Sequence, residues 1–447
     1  MKNLKKILLV TASTIALNAS ALACTKHSTS EVTSAKTPVV SDLKVKLNGF
    51  AHFQAAHRTQ SNLQGDEKNV SSNRKTFAFY NDAAMSTEIS NQAGDVTYGG
   101  KIVLVPTAKK KGSASYNGSH VFFESEFGKM EAGSPISSSS NMMIDGGTIA
   151  AATFDDWARY ANFTPANLMN PGSKLAPSFA NSAEFFLDSK LTTSSPNRPY
   201  SSEPSRSISY YTPKFEFGKT TKLQMGVTYT PDSSNTGADN PSVNSSGVDT
   251  RTIEFGGVDR FEIDRTVKDA VSAGITLEQN FSDGVDLKVA LTGEHGTAAG
   301  KAKRFDTVNT TTKTPNSTFK LSNLRTFNIG AVLNVGNFSY AGSFGSLGKS
   351  LTTPEFHKTG RKTDYYTGTV AYKQGPFAAS ASYFKSNQFK NTVDAVSIGT
   401  SYLLAPGFKP YAEISGFSLK GRPEFHNEMS KKKTRGTVAL IGAKLSL

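Results

Sequence analysis

From Leu43 to its last residue the chain repeats one pattern, segments of roughly ten residues whose side chains alternate between apolar and polar. A period of two is the signature of a strand with one face in an apolar medium. In the first segment Leu43, Val45, Leu47, Ala51, Phe53 and Ala55 share one face, and Lys44, Lys46, Asn48, His52 and Gln54 share the other. Phe50 is the exception, an aromatic ring on the wet face. The pattern predicts strands at 43–57, 75–90, 96–105, 116–126, 129–134, 205–216, 220–230, 266–280, 285–295, 323–335, 337–347, 363–373, 377–386, 391–404, 408–418 and 434–447. That is sixteen, an even number.

The connections alternate between two kinds. Tight ones fall at 91–95, 127–128, 217–219, 281–284, 336, 374–376 and 405–407. The others, at 58–74, 106–115, 135–204, 231–265, 296–322, 348–362, 387–390 and 419–433, are long except for 387–390. A meander gives this rhythm when its turns face one side and its loops the other. A soluble sandwich also alternates its faces, so the decision rests on apolar faces that run the full length of the strands and on the N-terminus.

That N-terminus reads as an export signal over 1–23. Lys2, Lys5 and Lys6 form a basic region, Ile7 to Leu17 an apolar one, and Ala21-Leu22-Ala23 a small-x-small cleavage site. The mature chain then starts at Cys24, with a polar segment over 24–42 ahead of the first strand. A cysteine placed there admits lipid modification, but the lipoprotein pattern wants Leu at the third position before it, where this chain has Ala21. No later run reaches 18 apolar residues, the length a spanning helix needs. An exported chain without such a helix, built of long two-faced strands, predicts an all-β fold over 43–447, a transmembrane β-barrel whose closure satisfies every backbone hydrogen bond. Composition agrees: charged residues are 19%, aromatics 10%, and the mean hydropathy is −0.36. With one cysteine there is no intrachain disulfide, so stability must come from the ladder of strands. The last strand carries Ala439, Ile441, Ala443, Leu445 and Leu447 on its apolar face, and must pair with the first to close the cylinder.

The hairpin Arg206 to Asp232, reading RSISYYTPKFEFGKTTKLQMGVTYTPD, resembles the hairpin after the third loop in general porins of Gram-negative outer membranes, the alphaproteobacterial branch above all. Val45 to Phe53 looks like their first strand, Phe122 to Gly133 like the hairpin before the third loop, and Gly399 to Glu413 like their strand pair around Leu404-Ala405-Pro406-Gly407. The resemblance covers nearly the whole mature chain and is most specific at Arg206–Asp232. It implies a 16-stranded antiparallel transmembrane β-barrel in the outer membrane, a homotrimer, with the third external loop folded into the lumen. Two departures stand out: members commonly end in an aromatic residue where this chain has Leu447, and the third loop is unusually long.

That loop, 135–204, separates two hydrophobic hairpins and holds the only tryptophan, Trp157. Loops beyond about 15 residues are uncommon in compact domains unless they do something. A sixteen-stranded barrel leaves an aqueous channel, and the resemblance assigns its narrowing to this segment. Its six acids, among them Asp145, Asp155 and Asp156, outnumber four bases, giving −2 in a mature chain of +11. Bases sit on the wet faces of the first strands: Lys46, His52, Lys101, and Arg74 if the strand reaches it. Carboxylates on one side and cations on the other would set a transverse field across a narrow channel. A plainer reading stands beside it. Asp145-Gly146-Gly147 is turn chemistry, Asp155-Asp156 can open a short helix, and Trp157 can pack the loop against the wall.

The expected function is therefore passive diffusion of small hydrophilic solutes and ions; a substrate-specific channel, or a non-conducting structural or adhesin barrel, is the alternative. The charge of +14 does not point to nucleic acid, because the bases lie in separate loops with no basic-aromatic stripe. The basic loops 296–322 and Lys431-Lys432-Lys433 fit lipopolysaccharide phosphates or plain solubility. The acidic loop 231–265, with Asp249, Glu254, Asp259, Glu262 and Asp264, admits calcium, though the spacing matches no known calcium loop, and no other cofactor is expected. The seven histidines show no metal-ligand spacing, and there is neither a Gly-x-Ser-x-Gly element nor a phosphate-cradling motif, so no enzyme is expected.

Overall fold

A computed structural model describes residues 43–60, 76–106, 114–161, 186–187, 205–234, 250–255, 259–264, 266–306, 317–352, 362–388, 391–420 and 434–446. The export signal, Cys24, the polar segment 24–42, Arg74, Lys431-Lys432-Lys433 and Leu447 lie outside them.

Sixteen antiparallel strands form one sheet. They are β1 (Lys44–Gln60), β2 (Phe77–Ala93), β3 (Val96–Pro106), β4 (Ala114–Ser125), β5 (Gly128–Gly133), β6 (Ser207–Tyr211, continued as Phe215–Phe217), β7 (Thr221–Asp232), β8 (Val267–Ser282), β9 (Val285–Ala298), β10 (Leu324–Val335), β11 (Phe338–Gly348), β12 (Thr363–Gln374), β13 (Phe377–Gln388), β14 (Asn391–Tyr402), β15 (Phe408–Lys420) and β16 (Thr434–Ser446). Each strand pairs with its neighbours in sequence. The break in β6 falls at Pro213, which has no N–H to give the ladder; both halves still pair with β7. β16 returns to β1 in continuous register from Phe50 opposite Ser446 to Gln60 opposite Gly436, so the sheet closes and has no edge.

The distribution of side chains is inverted relative to a soluble protein. Along β1, Val45, Leu47 and Phe53 are 56%, 64% and 52% exposed, whereas Gln54 on the other face is fully buried. Around the cylinder Ser209, Thr228, Ser272, Thr292, Asn328, Thr367, Ser397 and Ser415 point inward and are buried, while Ile275, Leu291, Ile329, Val396 and Ile414 point outward and are exposed. Alternation forces this once the exterior is lipid and the interior is polar. Beside the tight turns the outward positions carry Phe127, Phe217, Phe281, Phe338, Phe377 and Tyr402, one aromatic girdle of a membrane barrel.

The strand pattern read from the sequence holds within a few residues at every strand. The loops 231–265 and 296–322 differ. Thr250–Phe255, Asp259–Asp264, Lys301–Asp306 and Ser317–Lys320 form a separate four-stranded antiparallel sheet. Its central register sets Glu262 opposite Lys303, joining the acidic loop to the basic one. This pairing links segments some forty residues apart, and neither loop alone reveals it.

Candidate constriction site

The run 135–161 of the long third connection is bonded along the inner wall from strand to strand. Its run of serines starts the belt. In the short helix Ser138–Met142 the N-cap Ser137 makes no side-chain capping bond; instead Ser138 N donates to Thr228 Oγ1 at 2.8 Å, Ser138 Oγ to the Ser272 carbonyl at 2.9 Å, and Ser139 Oγ to Glu294 Oε1 at 2.7 Å. Further on, Asn328 Nδ2 donates to the Ile144 carbonyl at 3.1 Å, Gly146 N to Thr367 Oγ1 at 2.8 Å, and Ala151 N to Ser380 Oγ at 2.9 Å. Thr153 then donates twice to Glu413 Oε2, from N and from Oγ1, each at 2.8 Å. The partners lie in turn on β7, β8, β9, β10, β12, β13 and β15.

Glycines on the wall allow this approach. A Cβ on Gly330 would fall 2.1 Å from the Ile144 carbonyl oxygen, and one on Gly274 would fall 2.9 Å from Met142 Sδ. Both collisions fall where the segment touches the wall.

Farther along, the belt forms the 3-10 turn Asp156–Arg159. Trp157 is fully buried and stacks on Phe417 of β15, centroids 5.0 Å apart. Asp156 accepts from Arg159 Nε at 2.8 Å and from Gln54 Nε2 at 3.3 Å. Gln54 in turn accepts from Tyr411 Oη at 3.2 Å, and Tyr411 Oη is 2.6 Å from His52 Nε2. One chain of polar contacts thus runs from the belt to the wall. Arg159 also lies over the Tyr80 ring, 4.3 Å from its centroid. Burial works against the guanidinium's charge, but the Asp156 carboxylate, together with Tyr80 and Asp155, outweighs it and holds Arg159 above its ordinary range.

Between belt and wall lies a cavity of about 610 Å³. Asp155, Asp156 and Arg159 reach it from the belt, and His52, Asp82, Lys101, His120, Lys409 and Lys444 from the wall. Of the residues singled out from the sequence, Asp155, Asp156, His52 and Lys101 meet there. Asp145 does not: its carboxylate caps the turn Gly146–Ile149, accepting from Thr148 N at 3.1 Å and Thr148 Oγ1 at 3.2 Å. Lys46 is also off the cavity lining, 3.7 Å from Glu88 with its side chain 65% exposed. Trp157 anchors the belt and is closed to water. Sequence reasoning missed Asp82, Arg159, Lys409 and Lys444. The inward parity of Lys444 was visible beside Ile441, Ala443 and Leu445, but its neighbours come only from closure of the barrel.

A closed cylinder of sixteen strands, apolar outside, polar inside and crossed by a belt along its inner wall, defines the class of transmembrane β-barrels. The chain belongs to the Gram-negative porin family, whose model matches residues 11–422. Uncharacterized proteins of Rickettsia bellii and Rickettsia felis are each 42% identical to it, over 93% of this chain and 96% of the first, and over 98% of this chain and 99% of the second. Among solved structures it resembles an anion-selective porin from Comamonas acidovorans, with a TM-score of 0.49 and 12% identity over 91% of this chain and all of that one. Porins are outer-membrane channels and not enzymes, and this barrel is one of them.

Proposed function

We propose that this barrel passes small hydrophilic solutes and ions by passive diffusion, and that the third connection, 135–204, is what narrows it. The observation that carries this reading is the cavity itself, bounded on one side by the belt and on the other by the wall, with ionisable groups on both. Fixed charges in a narrow, low-dielectric channel act strongly on a passing solute. Polar solutes exchange hydrogen bonds with such a lining, and apolar ones disrupt its ordered water.

The transverse field is more balanced than the loop's composition implies. Asp156 is paired with Arg159 within the same turn, and Asp155 beside it acts on the same guanidinium, so the two carboxylates and one cation leave the belt with a single net negative charge at this point. Opposite it stand Lys101, Lys409 and Lys444.

We place the barrel in a homotrimer. On the outer wall, where lipid would otherwise lie, Asn81 of β2 is exposed and in register with the outward Phe53 of β1. A carboxamide facing lipid is costly, and a second copy of the chain would cover it. Purified protein added to a planar bilayer tests the channel: stepwise conductance on insertion is expected, and a silent membrane after verified insertion would overturn the reading.

A further inference from the structure

Several lysines on the inner wall of this barrel are paired. Lys129 lies 2.8 Å from Glu131, Lys288 3.2 Å from Glu278, and Lys222 2.8 Å from Glu216. The cavity lysines differ. Lys101, Lys409 and Lys444 all line it, and among the described residues none has a carboxylate within ion-pair distance.

The register makes the difference sharper. Lys409 of β15 is directly opposite Lys444 of β16, and Lys444 is directly opposite His52 of β1. Three basic side chains therefore stand in one row across three adjacent strands, on the same inward face. Like charges directly opposite on a sheet are destabilising. Lys444 is steadied by the Phe50 ring, 5.6 Å from its Nζ, which explains the one aromatic on the wet face of β1. A ring holds an ammonium without cancelling its charge. The row is thus left open to an anion.

We infer that the Lys409–Lys444 row, with Lys101 on the same cavity, is a binding subsite for small phosphate-type oxyanions, free or as the phosphate end of a larger hydrophilic solute. Directly opposed strand residues lie about 5 Å apart at their Cα atoms, so two ammonium groups can converge on the oxygens of one tetrahedral anion. Lysine suits this task, being a compact point charge with three donors. Asp155 across the cavity keeps the anion on the lysine side. A binding site of this kind should make the passage of such anions saturable, whereas simple diffusion is linear in concentration.

This inference rests on the channel reading, and the experiment separates the two. Single-channel chloride current is measured in a planar bilayer while inorganic phosphate or glycerol 3-phosphate is added at constant ionic strength. The expected result is a concentration-dependent, saturating block by either probe. Lys409→Gln with Lys444→Gln should weaken it about tenfold, the effect of losing roughly 1.4 kcal/mol of binding, and Lys385→Gln on the outer face should leave it unchanged. The double variant removes opposed like charges, so its barrel should assemble at least as well as the parent; heat-modifiable mobility on gels checks this. Block of the chloride current by glycerol 3-phosphate as well as by inorganic phosphate supports a site open to esterified phosphate, and block by inorganic phosphate alone supports a site for the free anion. A chloride current indifferent to both probes, or a block equal in parent and double variant, overturns the inference and leaves the channel standing. A membrane without any current overturns both.

Discussion

Trp157 lies against Phe417 with its ring plane 19° from parallel and the centroids 5.0 Å apart. One residue is in the belt and the other in the wall, so this stack fastens the belt to β15. Phe186 adds a second anchor from the same connection, stacked on Tyr365 at 5.5 Å. Large buried aromatics are worth about 3–5 kcal/mol when cut to alanine. Trp157→Ala should loosen the belt at this anchor while the hydrogen-bonded barrel persists. We expect noisier and larger single-channel currents with an unchanged strand signal by circular dichroism; quiet, parental currents would remove the stack from channel control.

Glu413 accepts both donors of Thr153 on one oxygen and Ser415 Oγ, at 2.8 Å, on the other. A carboxamide can keep one of these oxygens but turns the other into a donor facing donors. Glu413→Gln should therefore cost about 1–3 kcal/mol at this tether. Hydrogen exchange at the Thr153 amide should quicken, while that of β15 stays slow.

Gly330 lets the Ile144 carbonyl lie against β10, where Asn328 holds it. Gly330→Val would put side-chain atoms into the space the belt occupies. Overpacking of this kind costs about 1–3 kcal/mol. The belt should move inward, and the excluded size for neutral polyethylene glycols should fall relative to the parent channel.

Asp155 and Asp156 differ in their partners, and so should their variants. Asp156→Asn removes the charge that compensates Arg159 and releases a cation into the cavity. Asp155→Asn removes a charge from the belt directly. Each should move the reversal potential in a salt gradient toward anions, and the pair further than either alone. Unchanged permeability ratios in the double variant would take both residues out of the selectivity of the channel.

The amino-acid sequence by itself determined the wall. Period-2 alternation needs only neighbours in sequence, and every strand with its apolar face, together with the rhythm of short turns and long loops, could be read from residues such as Leu43 to Ala55. It also exposed 135–204 as the segment out of proportion, and the wet-face parity of His52 and Lys101. What it could not reveal is who faces whom across the cylinder. His52, Lys444 and Lys409 stand in a row only because β16 closes on β1, and that contact joins the two ends of the chain. Asp145, which caps its own turn, and Asp156, which pairs with Arg159 three residues on, are local contacts that the plainer reading of the sequence admitted; the partners of Asp156 and Arg159 on the wall, Gln54 and Tyr80, come only from the fold. Charge composition gives the sum of the loop's charges; tertiary structure decides which of them remain uncompensated, because pairing depends on distances that the linear order does not contain.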